Sequence, residues 1–307
     1  MTAVIRGVVP PLVTPLHEDR SLDIDSLERS IERQIAAGIH GLFVLGSSGE
    51  VVYSTDERRR EILSATMRIV DGRIPVLAGV IDTQTQRVID HIHVAEDFGV
   101  DAIVATAPFY GLGGPANVER HFRVLSESTS LPIFAYDIPV CVHTKLTPHM
   151  LVELGREGVL AGVKDSSGDD VSFRFLVRLN EKAGHPLQLL TGHEVVVDGA
   201  YLSGADGCVP GLGNVDPHAY VRQWDAYQAG DWQKVRLEQD RLADLMTIAL
   251  APQGVQGFGA GVGSFKTALQ LMGIFSSNQM PEPVQRLEGD NVERIAEVLR
   301  TAGLLNE

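Results

Sequence analysis

Lys164 closes an apolar, strand-like run, Val159-Leu-Ala-Gly-Val-Lys-Asp-Ser-Ser167, in a chain with only five lysines. A lysine ending a buried strand loses solvation, which lowers its pKa and leaves an uncharged amine able to attack a carbonyl. Such an amine forms Schiff bases. The same side chain could instead snorkel to water or pair with Asp165, and position alone does not separate the two readings. Two further runs supply what an imine-forming amine needs. Gly46-Ser-Ser-Gly-Glu50 offers two hydroxyls and several N–H groups around glycines, a build that can wrap a carboxylate. Tyr136-Asp-Ile-Pro139 places a phenol at the end of another strand-like run. Together they make a kit for activating a 2-oxo acid: the amine attacks the ketone, the cradle holds the neighbouring carboxylate, and the phenol moves protons as the carbinolamine collapses. Taken singly, Gly-Ser-Ser-Gly is a common turn and a tyrosine at a strand end is more often structural.

These groups need a scaffold that gathers strand ends. Eight apolar runs recur, beginning near Gly7, Gly41, Pro75, Ala102, Leu131, Leu160, Leu187 and Gly204, and polar segments with helical spacing separate them, such as 22–37, 55–70, 85–98, 118–128 and 169–181. The strand–helix repeat and the near-continuous apolar strands predict an α/β protein with a covered parallel sheet. Eight units in this length favour a (β/α)8 TIM barrel over an open doubly wound sheet, and barrel chemistry sits at the C-terminal ends of the strands. No strand is followed by the glycine fingerprint of a dinucleotide site. Segments 216–229, 232–250, 263–273 and 291–302 read as helices, too many to close a barrel. The expected organisation is a catalytic barrel over 1–228 and a C-terminal helical extension over 229–307 packed on it.

The formal charge of −14 argues against nucleic-acid and anionic-membrane partners. A small anionic substrate remains compatible, because it responds to local donors more than to a screened distant field. Cys141 and Cys208 have no pairing or zinc spacing, which points to a reducing, cytoplasmic setting, and the sequence shows neither a signal-peptide pattern nor a membrane-length apolar run. His91 and His93 lie two apart on a predicted helix and cannot share a metal. The Arg58–Arg60 run reads as a solvated face, Cys208 as a small buried hydrophobe, and the glycine-rich 254–263 stretch as a connector. Lys266, on a late helix outside the barrel core, reads as no nucleophile.

In this order on eight βα units, Gly46-Ser-Ser-Gly-Glu50, Ala107-Pro-Phe-Tyr110, Tyr136-Asp-Ile-Pro139 and Gly162-Val-Lys-Asp165 resemble the dihydrodipicolinate synthase / N-acetylneuraminate lyase family of class I pyruvate-dependent aldolases. The resemblance covers nearly the whole chain. It implies a TIM barrel with C-terminal helices, a homotetramer, a small-molecule 2-oxo acid substrate, and neither metal nor organic cofactor. By position, Lys164 would be the Schiff-base lysine and Tyr136 the proton-transfer phenol. Ser47 would link Tyr136 to Tyr110, which synthase-type relatives supply from the neighbouring subunit, and Ser48 with Gly49 would hold the substrate carboxylate. Tyr110 could also be an ordinary interface aromatic.

The chain departs from the synthases where they carry an arginine, two positions past the proline, that grips a second carboxylate; here Cys141 stands there. An apolar side chain cannot replace a guanidinium fork. Lyases of the family hold a sugar tail partly through an acidic pair, and Thr191-Gly-His-Glu-Val195 keeps one member, Glu194. Thr191 and Glu194 are therefore the candidates for holding substrate hydroxyls, with Cys141 and His143 lining the wall; Glu194 could alternatively complement the dipole of the next helix. The expectation is a lyase that cleaves a 2-oxo-3-deoxy sugar acid, such as N-acetylneuraminate, to pyruvate and an aldehyde. The rivals are a 2-keto-3-deoxygluconate-type aldolase or dehydratase, 4-hydroxy-tetrahydrodipicolinate synthase, and a non-catalytic 2-oxo acid sensor.

Overall fold

Eight short strands build one all-parallel sheet within residues 5–306, the part of the chain that the computed structural model describes. They are β1 Gly7–Val8, β2 Leu42–Val44, β3 Val76–Gly79, β4 Ala102–Thr106, β5 Ile133–Asp137, β6 Gly162–Asp165, β7 Gln188–Thr191 and β8 Gly207–Cys208. The ladder runs β1-β8-β7-β6-β5-β4-β3-β2. The remaining seam, between β1 and β2, is bridged by N–H groups of His40 and Phe43 donating to Val8 O (2.8 Å) and Pro10 O (3.0 Å), and by Leu12 N–H donating to Phe43 O (2.8 Å). The result is the (β/α)8 barrel that the alternating pattern predicted. Parallel neighbours require crossovers, and the crossover helices cover the outer face, so β4 and β5 are buried at every position.

The helices start where the sequence supplies caps. Asp23 accepts the Ser26 N–H at 2.9 Å and Thr55 accepts the Arg58 N–H at 3.2 Å, each satisfying a donor that the first helical turn leaves open. Helix 24–36 then buries Leu27 and Ile31 completely against the barrel, about 1.5–3 kcal/mol for each side chain. One expectation fails in the next helix, 56–70. The arginine run is not wholly a solvated face: Arg59 is buried, and its guanidinium donates to Ile81 O (3.0 Å) and Val51 O (3.4 Å) at the barrel's rim. Arg60 is exposed and Arg58 half-buried, its guanidinium donating to Arg20 O at 3.1 Å, while helical geometry turns the middle residue of the three inward.

Helices 232–246, 261–271 and 290–301 follow the barrel's last helix, 217–228. The apolar core continues into them without a break, from Ile5 to Leu299. Tyr201, Trp224, Tyr227 and Trp232 form an aromatic seam across residue 228, with Tyr201 and Tyr227 stacked at 4.6 Å and Trp232 5.6 Å from Tyr227. Among the described residues no helix is long and apolar enough to cross a membrane.

Candidate active site

Tyr136 and Lys164 are register partners on adjacent strands, β5 and β6, so their side chains leave the sheet on the same face. That face is the barrel interior. Lys164 Nζ lies 3.9 Å from the centroid of the Tyr136 ring and 4.8 Å from that of Phe43. Phe43 belongs to β2, a neighbour of neither strand, and can meet them only across the lumen. Lys164 is 5% exposed. Snorkelling is therefore ruled out. So is pairing with Asp165, which sits on the opposite pleat face with its Oδ1 accepting the Ser167 N–H at 2.8 Å.

The loop after β2 brings the hydroxyls to the phenol. Ser47 Oγ stands 3.4 Å from Tyr136 Oη, a loose contact for two hydroxyls. The loop is compact because Glu50 N–H donates to Ser47 O at 2.9 Å, while Thr14 Oγ1 donates to Gly49 O at 2.9 Å. Leu45 and Glu50 both adopt left-handed backbone, with φ of 57° and 58°, a conformation non-glycine residues rarely take. Gly79 on β3 makes room for this turn: a Cβ there would stand 2.0 Å from Leu45 O.

Glu194 closes the opposite wall. It does not cap the helix 197–203, which has no side-chain cap; its Oε1 accepts the Leu212 N–H at 2.5 Å in the loop after β8. Burial raises the carboxyl's pKa to about 7, against the opposing pull of the Leu212 N–H and the Lys164 charge. Gly211 is the residue that leaves this corner open. A Cβ on it would lie 3.0 Å from the Phe265 ring, 3.3 Å from Glu194 Oε1 and 3.4 Å from Ser48 Oγ. Ser48 and Glu194 thus converge on one point from two loops.

The remaining candidates divide. Cys141 and His143 lie on the short turn after β5, both exposed, and the turn is tied down by the buried Asp137 carboxylate, which pairs with Lys145 and accepts the Leu146 N–H at 3.1 Å. Partial enclosure pushes the Cys141 thiol up, opposed by the charge of Lys164. Thr191 is a correction. It is in register with Asp165, not with Lys164, so the strand's period of two turns it away from the lumen, and its Oγ1 accepts the His193 N–H at 3.1 Å. Tyr110 is 95% exposed on the loop after β4, with a left-handed φ of 68°, and among the described residues its hydroxyl makes no hydrogen bond. Sequence reasoning missed Phe43, Gly211 and Phe265, and it set aside Lys266, which is completely buried against Glu50 at 2.6 Å. A lysine amid Gly-Val-Gly-Ser-Phe-Lys-Thr-Ala-Leu, where the helix has no polar face, was the available signal. Among the described residues no group of three His, Cys, Asp or Glu side chains could hold a metal ion.

A closed (β/α)8 barrel with a buried lysine on β6 facing a tyrosine on β5 defines a class of carbon–carbon lyases, the pyruvate-dependent aldolases. The chain belongs to the dihydrodipicolinate synthetase family, whose profile matches residues 4–302. It is similar to 4-hydroxy-tetrahydrodipicolinate synthase of Phenylobacterium zucineum, 30% identical with 98% of this chain and 99% of that protein covered. An uncharacterized DapA-like lyase of Halobacterium salinarum is 33% identical over 98% of this chain and 95% of its own. Among solved structures, dihydrodipicolinate synthase of Bacteroides thetaiotaomicron superimposes with a TM-score of 0.91 at 31% identity, covering 98% of this chain and all 100% of that one. A prophage protein of E. coli K12 from the same family, solved in complex with pyruvate, gives 0.92 at 27% identity with the same coverage.

Proposed function

We propose that this aldolase works through an imine at Lys164 and cleaves a 2-oxo-3-deoxy acid to pyruvate and an aldehyde. The observation that carries the reading is the enclosed amine of Lys164, paired with no carboxylate among the described residues and flanked by the Tyr136 ring at 3.9 Å. Lys164 Nζ attacks the ketone carbon, and the Tyr136 hydroxyl gives up its proton as the carbinolamine hydroxyl leaves as water, which produces a protonated imine and a tyrosinate. Ser48 and the N–H groups of the Ser47–Gly49 loop hold the adjacent carboxylate. Tyr136 accepts the proton of the C4 hydroxyl as the C3–C4 bond breaks, and the imine takes up the electron pair as an enamine. Protonation of that enamine and hydrolysis release pyruvate.

Two features support a hydroxylated, uncharged tail. Cys141 occupies the place where a synthase carries its carboxylate-gripping arginine, and Glu194, with a pKa of about 7, can accept from or donate to a hydroxyl near neutrality. N-acetylneuraminate and 2-keto-3-deoxygluconate both have such a tail. The names of the relatives favour a second reading, 4-hydroxy-tetrahydrodipicolinate synthase, in which the aldehyde is aspartate semialdehyde. Tyr110, exposed and in strained backbone, fits a role across a subunit interface in a homotetramer; one solved relative is described as a monomeric synthase variant.

Incubation with pyruvate and borohydride, followed by peptide mass spectrometry, tests the mechanism: a reduced adduct is expected on Lys164 and not in Lys164→Met. Active enzyme without that adduct would refute the imine. Turnover of N-acetylneuraminate and 2-keto-3-deoxygluconate, compared with condensation of pyruvate and aspartate semialdehyde, separates the two substrate readings. Success of the condensation alone decides for the synthase.

A further inference from the structure

The Ser47–Gly49 cradle is gripped from outside the barrel. Glu50, next along the loop, is 3% exposed and directs Oε2 to Lys266 Nζ at 2.6 Å; Lys266, at 0% exposure, lies on helix 261–271 of the C-terminal extension. The ammonium also donates to Gln279 O at 2.9 Å, and Gln279 Nε2 donates to Glu18 O at 3.1 Å, so the lysine is tied through the extension to the barrel segment between β1 and helix 24–36. Among the described residues Glu50 Oε1 has no hydrogen-bond partner. Burial drives both groups toward neutrality, Lys266 downward and Glu50 upward, each resisted by the other. A pair this enclosed is a poor stabiliser, since apolar residues of similar volume serve a fold as well or better. Its distinctive property is that it specifies one geometry.

That geometry belongs to the cradle. Glu50 sits at a φ of 58°, and its own N–H closes the turn onto Ser47 O at 2.9 Å. Moving the Glu50 carboxylate therefore moves Ser47, and with it the 3.4 Å contact to Tyr136. The residue before Lys266 contributes from the other side: Phe265, 4% exposed, borders the Gly211 corner where Ser48 and Glu194 converge. One helical turn of the extension thus grips the loop at Glu50 and lines the Gly211 corner that Ser48 faces.

We infer that Glu50 and Lys266 are positioning residues through which the C-terminal extension holds the Ser47–Ser48 cradle in register with Tyr136 and Lys164, so that capture of the 2-oxo acid depends on the docking of the extension. The inference rests on the imine reading given above. The test is the double variant Glu50→Gln/Lys266→Met, which removes both charges and leaves no buried ion unpaired. Pyruvate is the probe, with borohydride trapping at Lys164 followed against pyruvate concentration, alongside the thermal midpoint. The half-saturating pyruvate concentration is expected to rise about tenfold or more, the loss of one or two charge-assisted hydrogen bonds. The trapping rate at saturation and the thermal midpoint stay near wild type. A role confined to stability would lower the midpoint and leave half-saturation alone, and that result overturns the inference. Should the double variant not fold, Lys266→Arg, which keeps the charge but changes the reach, carries the same test; unchanged half-saturation in the folded protein overturns the proposal. Absence of a wild-type adduct sinks the imine reading instead, so the two failures are distinct.

Discussion

At the scale of single residues, the chemistry depends on side chains that alternate strictly along short strands. Tyr136 is the first to probe: Tyr136→Phe keeps the ring beside Lys164 and removes the proton-transfer group. Turnover should fall by about 10²-fold or more, and borohydride trapping of pyruvate should slow with it, because the same phenol serves the collapse of the carbinolamine. Gly211→Ala asks a different question, since the added methyl would stand 3.0–3.4 Å from Phe265, Glu194 and Ser48. A raised KM for the full substrate, with little change in the trapping of pyruvate alone, is the expected pattern. Lys164 was legible because a lysine is chemically odd at the end of an apolar run, and Tyr136, Ser47, Ser48 and Glu194 stood out only in combination and through the family resemblance. Thr191 was misread because a strand's last residue can face either way and the register, not the composition, decides. Phe43 was invisible for the opposite reason: one more aromatic in an apolar strand carries no signal until the barrel closes around it.

Elements carry the pH response. His121, on helix 115–128, is buried with Nδ1 3.0 Å from Thr85 Oγ1, and burial lowers its pKa from 6.5 to about 4. Its folded pKa lies below its unfolded one, so the unfolded chain takes up the extra proton and stability is lost as pH falls from about 6.5 to 4. Glu194 does the reverse: raised from 4.5 to about 7, it is protonated in the folded state first, and its contribution is lost as pH rises through that interval. Each effect amounts to at most about 3 kcal/mol, and the slopes oppose one another. Thermal midpoints should therefore rise with pH in Glu194→Gln and fall with pH in His121→Asn, on either side of a flatter wild-type profile. The barrel itself was readable from eight apolar runs. The turn carrying Cys141 and His143 was not, because it depends on the Asp137–Lys145 pair, a contact that forms only once the turn has folded.

At the scale of the whole molecule, the exposed Tyr110 makes completeness of the site a question of assembly. If that phenol acts in a neighbouring subunit, mixing Tyr110→Phe with Lys164→Met should regenerate activity that neither variant has alone, because one kind of mixed site contains both native groups. No recovery after exchange of subunits, shown by native mass spectrometry, would confine Tyr110 to an interface role. The extension also looks different at this scale. Its helices were expected from the sequence, whereas the reach of Lys266 into the barrel's mouth was hidden, since distance along the chain from Glu50 conceals a contact that only folding creates.

The aromatic seam across residue 228 has a practical corollary. Both tryptophans of the chain, Trp224 and Trp232, lie in it, and neither ring is among those around Lys164. Intrinsic emission is therefore a built-in gauge of how firmly the last helices are seated, insensitive to whether the lysine carries an adduct. A spectral shift that precedes the loss of imine trapping in a denaturant titration would mark the tail of the chain as the first part to let go.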